Sequence, residues 1–161
     1  MTMSATVPSL PADGSPLERH RFRWLASGRL FLQAQLEAIR GARLEVLLEM
    51  YAFKAGGVGD EFCAALVAAA GRGVRVRILL DAFGSVALPG EYFDSLRAAG
   101  GAIEWFNRPS LGTWSFRNHR KLLVVDREDA FVGGCNIGAE YNGDGVVEGW
   151  RDGGVAVGGP V

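Results

Sequence analysis

Between residues 119 and 136 the chain reads His-Arg-Lys-Leu-Leu-Val-Val-Asp-Arg-Glu-Asp-Ala-Phe-Val-Gly-Gly-Cys-Asn. His119 and Lys121 stand two apart at the head of an apolar, half β-branched run from Leu122 to Val125. On a strand their side chains leave one face, and Arg120 leaves the other. A neutral imidazole beside an ammonium suits attack on a phosphate diester, with the Asn136 amide and the backbone N–H groups of Gly133 and Gly134 arriving from the next segment as donors. Gly133 and Gly134 would let backbone approach a ligand closely, and Asn136 would offer a donor to a phosphoryl oxygen. That chemistry calls for no metal ion and no cofactor.

Asp126 lies an odd number of residues from His119, so it should project to the opposite face or into the following turn. The Asp126-Arg127-Glu128-Asp129 stretch reads as a tight turn, where an aspartate bonds nearby backbone N–H groups. Asp126 is therefore expected in a supporting role in the catalytic set, without touching the phosphate.

The pattern H-x-K-x(4)-D-x(6)-G-G-x-N resembles the signature of the phospholipase D superfamily, and the second glycine is most like that of bacterial cardiolipin synthases. Ala42 to Val46, Gly73 to Arg77, Asp81-Ala82-Phe83-Gly84-Ser85, Asn118 and Trp150-Arg151-Asp152 also look like stretches of that family, so the resemblance runs from about Gly28 to the end. It implies a two-step exchange. His119 attacks phosphorus, Lys121 and Asn136 neutralise the equatorial oxygens, and an acceptor alcohol then displaces the phosphohistidine. In such proteins a carboxylate after the asparagine holds the other ring nitrogen of the histidine and stabilises the imidazolium. Asp152 falls at the matching place, and Glu140 is the alternative.

These residues need a framework, and the apolar blocks alternate as helix, strand, helix, strand, helix, strand, the layout of an α/β domain; the resemblance implies a mixed β-sheet flanked by helices, one phospholipase D-like lobe. Leu32, Leu36 and Ile39 mark a helix closed by Gly41. Residues 43 to 53 form a strand, and Asp60 caps a helix carrying Phe62, Leu66 and Ala69. Val74 to Leu80 alternates with Arg75 and Arg77 as a strand, and Tyr92, Leu96 and Ala99 mark the next helix. Strands follow at Ala102 to Phe106, through the motif, at Ala130 to Val132 and around Asp152 to Val157. Glu49 and Tyr51 share a strand face and could line a polyol pocket, although core packing explains Tyr51 equally. Trp105, Phe106, Leu111, Trp114 and Phe116 supply aromatic and apolar surface before the motif, for the core or for a lipid contact. Arg117 and Arg120 would attract an anionic headgroup.

At 161 residues with 48% hydrophobic and 22% charged, the chain has room for one ordinary domain with a real core, 19–161, behind a leader at 1–18 that carries three of the six prolines. The leader lacks the build of a signal peptide, and no apolar run is long enough to span a bilayer. A net charge of -1 gives no overall pull toward polyanions, so nucleic acid is an unfavoured partner. Arg19, Arg21, Arg23 and Arg29 form a local basic patch of the kind that meets anionic lipid, or simply a solvated face. Cys63 and Cys135 read as small buried residues without chemistry.

The resemblance places the substrate in a membrane, phosphatidylglycerol converted to cardiolipin, reached peripherally from the cytoplasmic side. It also implies a second histidine from a second motif, to protonate the leaving alkoxide. The other histidine here, His20, is followed by Arg21-Phe22-Arg23 and lacks the rest of the pattern. The second motif would come from a further lobe, with the chain as the first of two, or from a second copy across a two-fold axis. The ending Gly158-Gly159-Pro160-Val161 reads as the point where the first lobe continues into a helix. A homodimeric phosphodiesterase acting on nucleic acid and a non-catalytic lipid-binding lobe are the alternative readings.

Overall fold

The computed structural model describes residues 20–108 and 116–159. Its elements follow in the order β1 (Arg21–Leu25), α1 (Gly28–Gly41), β2 (Glu45–Met50), α2 (Val58–Gly71), β3 (Arg75–Asp81), α3 (Asp94–Ala98), β4 (Ala102–Phe106), β5 (Lys121–Val125), β6 (Asp129–Gly133), a 3-10 turn (Ala139–Tyr141) and β7 (Gly154–Gly158). The seven strands form one sheet in the order β1-β7-β6-β5-β2-β3-β4. β2, β3 and β4 run parallel through the α2 and α3 crossovers, whereas β5, β6, β7 and β1 pair antiparallel. The expected mixed α/β layout is therefore the observed one.

The core follows from strand parity. Val46, Leu48 and Met50 of β2, Val76, Ile78 and Leu80 of β3, and Leu123 and Val125 of β5 are buried in one cluster with Phe31, Leu32, Leu36 and Ile39 of α1 and Phe62, Leu66 and Ala69 of α2. Full burial of a side chain of this size is worth roughly 1.5–3 kcal/mol. The alternate positions are more open: Leu47 is 36% exposed and Val132 52%. α1 begins at Ser27, whose hydroxyl accepts the Leu30 N–H at 3.3 Å.

Two local expectations are corrected, and one strand that the residues did not announce is added. Asp60 is not the cap of α2: the cap is Gly57, and Asp60, inside the first turn, reaches back to accept the Gly56 N–H at 3.0 Å. The basic stretch after His20 is an edge strand, β1, in register with β7 from Arg21 opposite Gly158 to Leu25 opposite Gly154. Its alternation of arginine with Phe22 and Trp24, 58% and 70% exposed, hides the strand among charges. The last strand begins at Gly154, leaving Asp152 in the loop before it. Residues 1–18 and Arg19, along with Leu111 and Trp114 of the aromatic segment, lie outside the described residues.

At the β5–β6 connection Asp126 and Arg127 have φ of 54° and 59°, and the Glu128 N–H bonds the Val125 carbonyl at 3.1 Å. Two successive left-handed residues make the hairpin turn whose twist matches the strands. Arginine pays for that conformation, and its Nε donates to Glu45 Oε1 at 2.6 Å. Glu45, 4% exposed, is also held by Arg75.

Candidate active site

All the motif residues but Asp126 gather at one end of the sheet because of strand direction. Met50 at the end of β2 pairs with Lys121 at the start of β5, and Gly133 at the end of β6 pairs with Gly154 at the start of β7. Tyr51, His119, Lys121, Asn136 and Asp152 therefore all lie just beyond the carboxyl ends of the parallel strands, the end where α/β sheets place ligands.

His119 precedes β5 rather than lying on it. Its ring stacks on Tyr51 at 3.9 Å between centroids and 16° between planes. The Lys121 ammonium stands 5.1 Å from the centroid of the same Tyr51 ring and donates to the His119 carbonyl at 2.8 Å. The imidazole and ammonium thus converge on one aromatic platform. Tyr51 is half-buried, stands outside the buried core cluster and stacks on the His119 ring.

Burial pushes the Lys121 ammonium below its usual range, and the Asp152 carboxylate partly opposes that. Replacing Asp152 by Asn leaves the desolvation unopposed, so Lys121 should titrate at still lower pH in that variant. The chain has two lysines, and side-chain amine signals followed by NMR through the alkaline range would read it. An unchanged Lys121 titration would rule out the coupling.

Asp152 accepts the Gly153 N–H at 2.7 Å and a bond from the Cys135 thiol, which burial and then this carboxylate push up to about 12. Among the described residues its carboxylate makes no hydrogen bond to the His119 ring in this structure. The alternative, Glu140, is engaged by Lys54 in an ion pair. Asp126 sits at the far end of β5, where it accepts the N–H groups of Arg43 at 2.9 Å, Leu44 at 2.7 Å and Glu45 at 3.0 Å. Its place in the catalytic set is corrected to that of a structural clamp. The seven-residue offset from His119 spans β5 and carries it to the opposite edge.

Asn136, 7% exposed, accepts the Ala52 N–H at 3.1 Å and donates to the Tyr141 hydroxyl at 2.7 Å. One amide hydrogen remains beyond these two bonds. The glycine pair lies hard against neighbouring backbone and the Asp152 carboxylate. A side chain at Gly134 would collide with the Asp152 carboxylate, and one at Gly133 with Gly153 and Gly154. The close approach that these glycines permit is made by the chain itself.

Glu49 separates from Tyr51. It accepts the Asn118 side-chain N–H at 2.5 Å and lies 3.4 Å from Arg120, which leaves the opposite face from Lys121 as its parity requires. Arg117 stands 4.5 Å from the Phe83 ring centroid, its charge over the aromatic face. Glu49, Arg117, Asn118, His119 and Arg120 with Leu79 and Phe106 line an open cavity beside the histidine. Asp81, buried at the end of β3, stood in the sequence only within a family-like stretch and was given no role, and Tyr141 was not singled out. A lone carboxylate closing the apolar run Ile78-Leu79-Leu80 was the available signal for Asp81. Nothing local marks Tyr141.

The fold is that of the phospholipase D superfamily. A crystal structure of a phospholipase D family member, Nuc from Salmonella typhimurium, superposes with a TM-score of 0.60 at 20% identity over 86% of this chain and 81% of that one. Phosphatidylserine synthase of Haemophilus influenzae superposes with a TM-score of 0.68 at 15% identity over 89% of this chain and 34% of that one. At the level of sequence, the family described as "Cardiolipin synthase, PLD-like domain" matches residues 36–144. Cardiolipin synthase A of Pseudomonas putida (strain W619) is 39% identical over 90% of this chain and 31% of its own length, and that of Pseudomonas syringae pv. syringae (strain B728a) is 35% identical over 98% and 34%. The chain belongs to this cardiolipin synthase, PLD-like family, and it spans about a third of the length of these curated relatives.

Proposed function

We propose that this chain is the nucleophile-bearing lobe of a phosphatidyltransferase that joins two phosphatidylglycerol molecules into cardiolipin and releases glycerol. The observation that carries the reading is the convergence of His119 and Lys121 on Tyr51 at the sheet end that also holds Asn136 and Asp152. His119 attacks phosphorus. Lys121 and the remaining Asn136 N–H take the charge that develops on the equatorial oxygens. The acceptor hydroxyl then displaces the phosphohistidine, giving retention at phosphorus. Asp152 acts on this site through Lys121, and a small rotation of the His119 ring onto its carboxylate is the step by which it would support the imidazolium. Arg117 and Arg120 flank the cavity as the anionic headgroup contact, with Glu49 on its wall.

The leaving alkoxide takes its proton from a second histidine, supplied by a further lobe. The threefold greater length of the relatives supports that arrangement. The alternative source is a second copy of the chain. Access to lipid is peripheral, from the cytoplasmic face. Among the described residues no helix is long and apolar enough to cross a membrane.

The test is product analysis after incubation with phosphatidylglycerol vesicles, combined with the solution mass by light scattering. Cardiolipin and free glycerol in equal amounts are expected from an assembly that holds two motifs. Cleavage of DNA without action on phosphatidylglycerol would sink the transferase reading and leave the homodimeric phosphodiesterase.

A further inference from the structure

Three elements far apart in sequence meet at His119, and one turn touches them all. Asp81, at the end of β3, is 1% exposed. Its Oδ1 accepts the Phe83 and Gly84 N–H groups, each at 3.0 Å, and its Oδ2 accepts the N–H of Asn118 at 2.8 Å. A buried carboxylate is costly unless its oxygens are satisfied. Here three backbone donors satisfy it, and the third belongs to the residue immediately before His119. The Asn118 side chain extends the clamp, donating to Glu49 and accepting the Arg120 N–H at 3.1 Å. The backbone on both sides of His119 is thus anchored to the ends of β2 and β3.

The other end of the turn grips the partner ring. The Ser85 hydroxyl donates to the Tyr51 carbonyl at 3.2 Å and accepts the Phe53 N–H at 3.0 Å, bridging the backbone around Tyr51. Ser85 is 2% exposed. A side chain at Gly84 would collide with the Tyr51 carbonyl and ring, so the turn packs directly against the platform. Asp81-Ala-Phe-Gly-Ser85 therefore holds the lower ring of the stack through Gly84 and Ser85, and the upper ring through Asp81 and Asn118.

We propose that the Asp81–Ser85 turn is the positioning element of this site, setting the plane and height of the His119 ring over Tyr51, with Asp81 and Ser85 as positioning residues. The inference rests on the reading of His119 as the nucleophile. Its physical basis is that a reacting group must be held to a fraction of an ångström, which takes locked neighbours behind it. Neither residue touches the reacting atoms.

The test reads the ring itself. The chain has two histidines, so the ring signals of His119 are identified in NMR spectra by their loss in His119→Asn, and His20 serves as internal reference. Stacking on Tyr51 places the His119 ring protons in the shielding region of the phenol ring. Tyr51→Leu defines the unstacked position of these signals, and Tyr51→Phe should keep the native one. Asp81→Asn turns an amide donor toward one of the three N–H groups, and Ser85→Ala removes the bridge to Tyr51. Each variant, with its fold checked by circular dichroism, is expected to move the His119 signals toward the Tyr51→Leu position while His20 stays in place. His119 signals at the native position in either folded variant would overturn the proposal. Should Asp81→Asn fail to fold, Ser85→Ala decides alone. Absence of turnover would count against the enzyme reading without moving these signals, so the two can fail separately.

Discussion

Replacing His119 by Asn is expected to lower phosphatidyl transfer by on the order of 10⁴-fold or more, the scale of loss when a covalent nucleophile is removed. The amide of asparagine is not nucleophilic and cannot carry the phosphoryl group, so the first step has no route. The fold should survive. His119 is exposed, precedes β5 rather than lying on it, and its ring contributes one stacking contact, with Tyr51. Such a pair is worth about 0.5–1.5 kcal/mol. The measurement is turnover on phosphatidylglycerol vesicles beside thermal melting of the same sample. Turnover within a few-fold of wild type would remove His119 from the mechanism and take the phosphohistidine with it.

The second large effect lies at the other end of the same strand. Asp126→Ala is expected to cost about 3 kcal/mol of stability, because three backbone N–H groups lose a charged acceptor at once. For a chain of this size that corresponds to a fall in melting midpoint of roughly 6–12 °C. Arg43, Leu44 and Glu45 begin β2, so the loss frays the strand that leads to Tyr51 and unpins the left-handed turn at Asp126 and Arg127.

The pH dependence has a definite sign. Burial pushes the Asp126 carboxyl up, but the N–H groups of Glu45, Leu44 and Arg43 outweigh it and hold the group below its usual range. A carboxyl depressed in the folded state contributes its full stability above its unfolded value of about 3.9, and loses it as pH falls through the folded value. Urea midpoints for wild type and Asp126→Ala at neutral pH and through the acid range should therefore converge as the pH falls below about 4. A constant gap down to the lowest pH would show that the clamp does not act through its charge.

Much of this was legible in the residues. The α/β alternation, the pairing of His119 with Lys121, the opposite projection of Arg120 and the tight turn at Asp126 all follow from period, parity and turn chemistry, which operate within one element or across one hairpin. β1 was not legible: in Arg-Phe-Arg-Trp-Leu the alternation of an edge strand is also the pattern of a solvated basic face. What presses on Gly133 and Gly134 was not legible either, because it is β7 and Asp152, some twenty residues later.

By itself, then, the sequence determined which residues stand at the head of β5 and the kind of fold that carries them. The tertiary structure decided what surrounds them. Tyr51 lies under His119 because β2 and β5 are antiparallel neighbours with Met50 opposite Lys121. Asp152 lies beside Lys121 because β7 follows β6 in the sheet order. Asp81 reaches Asn118 because β3 runs parallel to β2 and ends at the same edge. Contacts of that kind join residues tens of positions apart, and strand order and register, which no local pattern encodes, bring them together.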